Sequence, residues 1–404
     1  MNSKIEKLPI VMLTHEFFPH KGGIATFTEE MARAAAEIGH PVEVWAPEHH
    51  NKNCQKFPFI VKWLPLKGSQ DLSCQYKLIK ELIKERRRLR DTILYLCDPG
   101  PVLAMSYLHF FKAFRPEKLL ITFHGTEVQQ FAASPGRKQM LNQLIRRADR
   151  ISAPSEFTHK LITNNFSAAK LKTFLTPCAL RSDFIPAERK LGRGKSSKVN
   201  ILTVGRLHPR KGQAFIIEAL AALGKTHRDK ISFWIVGTGN KFGYETQLKK
   251  MASETDLDIK FFGEVDNDKL MKLYSEADIF AMTSVNFKKS VEGFGLVYLE
   301  AAAHGIPVIA HKVGGAPEAV SHEKNGLIVP PQNRDALRDA FAKLIEDPQL
   351  REQMGTYGYE WSRRNSWLHS AQLFFNNWDI KIDSSLEFSK DQLNEARNGP
   401  LPES

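Results

Sequence analysis

Short apolar runs alternate with helix-length amphipathic segments along almost the whole chain, and the pattern halts once and then begins again. The first series runs LPIVMLT, PVEVWAP, FIVKWL, TILYLC, KLLITF, RISAPS and KTFLTP; the second runs VNILTVG, ISFWIVG, DIKFFG, DIFAMTS, IPVIA and GLIVPP. Continuous apolar strands separated by helices suit parallel sheets covered on both faces. Helices are expected over 24–38, 76–90 and 139–147. The stretch IPAERKLGRGKSSKVN between the two series is polar, basic and glycine-containing, as a linker is. The pattern predicts an α/β chain of two doubly wound parallel-sheet domains at 1–184 and 199–365, joined by a linker at 185–198. A helical, aromatic-rich segment at 366–382, expected to pack back on the N-terminal domain, and a polar tail at 383–404 complete it. Each domain holds roughly 180 residues, within the usual range. In such sheets ligands gather beyond the carboxyl ends of the strands, near the switch point. The natural site of a two-domain chain is therefore the cleft between its sheets.

Charge narrows the partners. The net charge of +12, from 57 Lys and Arg against 45 Asp and Glu, favours an anionic one: a nucleotide, a nucleic acid or an acidic membrane. No nucleic-acid motif or aromatic platform supports the second. The cysteines Cys54, Cys74, Cys97 and Cys178 form no C-x-x-C pair, which suggests neither a disulfide framework nor a zinc site and fits a reducing cytoplasm. The early run LPIVML is cut short by THEF, too soon for a signal-peptide core. No stretch approaches the ~18 apolar residues that span a bilayer. The expected location is cytoplasmic, with any membrane contact peripheral. The basic helix expected at 76–90, from YKLIKELIKERRRLRDT, reads either as a solvated outer helix or as a surface lying on anionic lipid.

Several strand ends carry chemistry. Gly22 and Gly23 follow the first strand and open a helix, where backbone N–H groups and the positive dipole end suit a phosphate; a plain tight turn is the alternative. HEFFPH is not a metalloprotease site, because its histidines stand five apart and Pro19 breaks the helix such a site requires. In ILTVGRLHPRKGQ, Arg206 leaves a strand end and Lys211 stands before a helix, a pairing that can hold a diphosphate or belong to an ordinary charged loop. Gly237 adds a strand-to-glycine turn in VGTGN. His124 follows KLLITF and would face the cleft, unless it is a hydrogen-bonded structural histidine. The D-x-D pairs at 256–258 and 266–268 read as a helix-to-strand junction and a helix cap rather than metal ligands.

The segment VEGFGLVYLEAAAHGIPVIA sets Glu292 and Glu300 eight positions apart. Glycosidase carboxylates act across about 5–9.5 Å, whereas eight residues of continuous helix span ~12 Å. Gly293 and Gly295 break that continuity. Glu292 then belongs to a loop whose N–H groups attract phosphate, and Glu300, in the following helix, can accept hydrogen bonds from a vicinal diol. Two grips on one nucleotide sugar is the stronger reading, and an acid/base pair the weaker.

Taken in order, these motifs resemble the family 4 retaining glycosyltransferases of GT-B fold over roughly residues 8 to 375. EGFGLVYLE, the E-x7-E motif, is the most specific, with GGIATF, FHGTEV, GRLHPRKG, FFGEVDNDKLMKLYSEADIF and NGLIVPP in support. The resemblance implies two Rossmann-like domains facing a central cleft and a nucleotide-diphosphate sugar bound on the C-terminal one, with no metal or other cofactor. By the same resemblance, Arg206 and Lys211 would grip the diphosphate, and Glu300 the ribose. Glu292 and the backbone N–H groups of Phe294, Gly295 and Leu296 would position sugar and phosphate. Gly23 would admit the β-phosphate, His124 would contact the sugar near the reacting centre, and the turn at Val265 would lie by the base. HGTEV and GRLHPRKGQ are similar to mannosyltransferase members, which makes GDP-mannose the first donor suggested and a UDP-sugar the second. The acceptor would be a glycan or a lipid-linked hydroxyl. A nucleotide-sugar 2-epimerase and a non-catalytic sugar-nucleotide-binding subunit share the architecture and are the alternatives. PCALRSDF, where the family often has Asn-Gly-Val-Asp, and NFKKS before Glu292 depart from its pattern.

Overall fold

The computed structural model describes residues 7–19, 22–49, 56–68, 71–184, 198–376 and 378. All but the last residue of the expected linker, residues 379–382 and the tail at 383–404 lie outside the described residues. The strands of the first series are β1 (Ile10–Leu13), β2 (Val42–Pro47), β3 (Ile60–Leu64), β4 (Ile93–Leu96), β5 (Lys118–Thr122), β6 (Arg150–Ala153) and β7 (Thr173–Leu175). They form one sheet in the order β3-β2-β1-β4-β5-β6-β7, every pairing parallel. The second series gives β8 (Val199–Val204), β9 (Ile231–Val236), β10 (Ile259–Gly263), β11 (Ile279–Met282), β12 (Val308–His311) and β13 (Gly326–Val329). These pair in parallel in the order β10-β9-β8-β11-β12-β13. The strand order reverses at β1/β4 and at β8/β11, the two crevices where doubly wound sheets bind ligands.

Burial follows position in the sheet. The central strands β1, β4 and β11 are buried at every residue, while the edge strand β3 leaves Ile60 exposed. Two helices differ in extent from the sequence expectation. The basic helix runs Leu72–Glu85 rather than 76–90, because Asp71 caps the N–H of Cys74 and starts it earlier. It gives way to a 3-10 turn at Arg88–Asp91, where Leu89 sinks into the core and its carbonyl accepts from Thr92 Oγ1 at 2.9 Å. The helix expected at 139–147 begins at Pro135, since proline at a first helical turn loses no hydrogen bond.

The last described helix, Trp367–Phe375, returns to the first sheet and packs on the helix Gly23–Glu37. Its buried Trp367, Ala371, Phe374 and Phe375 join one apolar core with Phe27, Met31 and Tyr95. Arg150 Nη1 donates to the carbonyls of Leu373, Phe374 and Asn376 at 3.2, 2.8 and 2.7 Å, satisfying acceptors that a helix C-terminus leaves open. Trp367 Nε1 and Ser370 Oγ donate to the carbonyls of Leu180 and Pro177, each at 2.8 Å. The segment 177–184, which leaves the first sheet after β7, is thereby pinned to the C-terminal helix.

Candidate active site

The two sheets face each other through the loops beyond β5, β6 and β11. Thr126 Oγ1 lies 3.2 Å from the N–H of Val291, from which it accepts, and 3.3 Å from its carbonyl. Ser155 Oγ donates to the carbonyl of Gly293 at 2.7 Å. Gly293 has no room for a side chain, because a Cβ there would meet the carbonyl oxygen of His124 at 2.1 Å. Nearby, the Glu318 carboxylate accepts from the N–H groups of Glu156 and Phe157 at 2.6 and 2.8 Å, capping a helix of the opposite sheet. The glycine turn between the two glutamates therefore sits directly against the loops of the first sheet.

Glu292 is the centre of the charge. Its Oε2 accepts from Lys211 Nζ and Arg210 Nη1 at 2.8 Å each and from Ser284 Oγ at 2.9 Å. Burial alone would raise this carboxyl, but Lys211 and Arg210 hold it down at about 2. Arg210 and Lys211 are aimed by the short 3-10 turn Pro209–Lys211, in which the Arg210 N–H donates to His208 Nδ1 at 3.1 Å and the Val285 N–H donates to the Arg210 carbonyl at 2.8 Å. Gly212 must be glycine here: its φ is 75°, and a Cβ would meet the Thr283 carbonyl oxygen at 2.0 Å. Arg206, expected beside Lys211, is exposed, and its side chain makes no hydrogen bond among the described residues. The cation that joins Lys211 on Glu292 is Arg210, which sequence reasoning passed over although it lies within the same GRLHPRKG motif. Ser284, two residues past β11, carried no sequence signal.

Glu300 lies one turn into the helix Leu296–Ala303, whose N-cap is Gly295 at φ 93°. Its Oε2 accepts from Tyr274 Oη at 2.9 Å, and its Oε1 stands 4.0 Å from Arg181 Nε. Burial pushes this carboxyl up, against the pull of Arg181. Across the cleft, the helix Gly23–Glu37 begins with exposed Gly22 and Gly23, has no side-chain cap, and has open space where a Cβ of Gly23 would lie. His124 Nε2 is 2.9 Å from the Cys97 carbonyl, its ring stands edge-on to Phe27, and its backbone N–H donates to the buried Glu127. Val265 is half-buried in the turn after β10, and Gly237 packs its backbone on Gly205 after β9. The D-x-D acids serve the fold: Asp256 pairs with Arg228, Asp258 with Lys198, and Asp266 caps the helix Asn267–Glu276.

Two parallel, doubly wound sheets, with a cationic and glycine-rich cleft between them, define the GT-B class of glycosyltransferase architecture. Residues 21–179 match the family described as Glycosyltransferase Family 4, and residues 185–361 the family described as Glycosyl transferases group 1. The chain belongs to glycosyltransferase family 4, and it is an enzyme that uses a nucleotide-sugar donor. It is 27% identical over 374 residues to a GDP-mannose-dependent alpha-(1-6)-phosphatidylinositol monomannoside mannosyltransferase of Mycobacterium tuberculosis, covering 87% of this chain and 93% of that one. It is 29% identical to a GDP-mannose-dependent monoacylated alpha-(1-6)-phosphatidylinositol monomannoside mannosyltransferase of Corynebacterium glutamicum, covering 87% and 94%. The fold matches that of Anabaena HepE, solved with UDP and glucose, at a TM-score of 0.72 and 20% identity, over 90% of this chain and 97% of that one.

Proposed function

We propose that this chain is a retaining hexosyltransferase that moves a sugar, mannose from GDP-mannose first and a hexose from a UDP-sugar second, to a hydroxyl of a glycan or lipid-linked acceptor. The unit built on β8–β13 takes the donor and the one built on β1–β7 the acceptor. What carries this reading is the convergence of Lys211 and Arg210 on Glu292, at a glycine turn that opens a helix and sits against the loops of the first sheet. Cations and backbone N–H groups fixed in this way stabilise negative charge as it develops on a departing diphosphate. Arg206 adds a third cation on the same strand end. Glu292 Oε1, which takes none of the three donors bound at Oε2, is left for the donor sugar, and Glu300 Oε1 for the ribose.

The bond from the anomeric carbon to the diphosphate breaks with its electron pair going to the leaving phosphate. The acceptor oxygen bonds to that carbon on the same face, and its proton passes to the departing phosphate oxygen. His124, fixed through Cys97 and Glu127, lies beside the reacting centre. The contacts of Thr126, Ser155 and Glu318 across the cleft exclude water from it. Donor identity is read by thermal shift with GDP, UDP and their sugars. A ligand at 100 times its dissociation constant stabilises by ~2.7 kcal/mol. GDP-mannose should give the largest upward shift; a larger shift with a UDP-sugar would replace the first donor with the second.

A lipid-linked acceptor is supported by the named lipid substrates of the two mannosyltransferase relatives and by one outer face. Among the described residues no helix is long and apolar enough to cross a membrane. The outward side of Leu72–Glu85 instead exposes Leu72, Tyr76 and Ile83 among lysines; the helix packs on Pro99–Leu108, and Tyr107 in that helix and Phe110 and Phe111 just past it are exposed too. Apolar side chains set in a basic face suit the interface of an anionic bilayer. Cosedimentation with phosphatidylglycerol vesicles should exceed that with phosphatidylcholine and fall in high salt. Equal recovery with both lipids would remove the surface from the reading.

A further inference from the structure

The segment PCALRSDF departs from the family pattern, and the structure shows where its arginine goes. Arg181 leaves the first sheet's side of the molecule and extends over the second. Its Nη2 donates to Asn267 Oδ1 at 2.9 Å, at the start of the helix that follows the Val265 turn. Its Nε lies 3.4 Å from Asp183 Oδ1 and 4.0 Å from Glu300 Oε1, and although buried makes no hydrogen bond among the described residues. Its guanidinium rests over the Phe184 ring, which is itself edge-on to Tyr274 and His304. The neighbouring Ser182 is held by the buried Glu30 of the helix Gly23–Glu37, through both its N–H and its hydroxyl.

We propose that Arg181 is a positioning residue for the donor, keeping Glu300 oriented so that its Oε1 can accept the ribose diol. Separation decides this role. At 4.0 Å the cation acts on Oε1 by charge without occupying its lone pairs, and Tyr274 takes the other oxygen. A carboxylate bound directly by a guanidinium fork would have its acceptor sites filled. A buried carboxylate with no cation nearby would favour its neutral form and accept hydrogen bonds poorly. The nearby Asp183 carboxylate adds to that pressure, and Arg181 is the cation that opposes it. Because Ser182 is tied to Glu30 of the first unit, the ribose grip is complete only when the crossover segment is seated between the sheets.

This inference rests on Glu300 being the ribose residue, and one experiment separates the two claims. Calorimetric titration of the full chain with GDP and 2′-deoxy-GDP, and with UDP and 2′-deoxy-UDP, gives the preference for the ribo form. Arg181→Gln, which keeps a polar, unbranched side chain and removes the charge, should weaken the ribonucleotide by about tenfold while leaving the deoxynucleotide nearly unchanged. Arg181→Lys should restore part of the preference, which a merely structural role would not require. An unaltered ribo-to-deoxy ratio in Arg181→Gln, with Glu300→Gln abolishing the preference, overturns the role of Arg181 alone. A ratio unaltered in Glu300→Gln overturns the ribose assignment and this inference with it.

Discussion

Replacing Lys211 by alanine should lower kcat with the cognate donor by about 10²–10³-fold, the usual cost of removing one preorganised group that stabilises a developing oxyanion. The ammonium is well placed for that role. It is half-buried just ahead of the helix Gln213–Ala221 and already bound to a carboxylate that fixes its position. When the diphosphate departs, Lys211 has little reorganisation left to make. Nucleotide binding should weaken less than turnover, because the charge that Lys211 meets grows between the bound donor and the transition state. A Lys211→Ala enzyme that transfers sugar within threefold of the parent would remove this residue from the mechanism.

Replacing Glu292 should damage stability as well as activity. Glu292→Ala leaves Arg210 and Lys211 facing each other with their shared counterion gone, and breaking a buried ion cluster in this way costs about 3–5 kcal/mol. The pH dependence carries a definite sign. The folded-state carboxyl sits at about 2 against an ordinary value of 4.5. Its stabilising contribution, about 3 kcal/mol, is fully present above the ordinary value and is lost as pH falls through the folded value. Urea unfolding of the parent and of Glu292→Gln should therefore show a gap near neutrality that narrows by about half at pH 3. A gap that stays constant over that window would mean that the cluster is not what holds Glu292 ionised.

Much of the architecture could be read in the sequence because local chemistry carries it. Every apolar run named in the two series became a strand, since β1, β4 and β9 are buried whatever their neighbours do. The E-x7-E glutamates were legible because Gly293 and Gly295 mark the break between them. Arg210 was not legible. Adjacent positions on a helix or a 3-10 turn point in different directions, and no spacing rule sends both Arg210 and Lys211 to one oxygen, as they go here. Arg206 drew the attention instead, on the strength of its place at a strand end. Glu318 and Arg181 were hidden for a different reason. Their partners, Glu156 and Glu300, lie far away along the chain, and no spacing rule links such positions.

The return of the helix Trp367–Phe375 to the first sheet bears on the order in which the fold closes during synthesis. The face of Gly23–Glu37 that holds Phe27 and Met31 emerges before any strand of the second sheet, yet the residues that cover it, Trp367, Phe374 and Phe375, follow that sheet. Until they arrive, the first sheet has an uncovered apolar flank while the second sheet forms from a contiguous stretch. The first sheet is thus closed only after the second sheet has been translated.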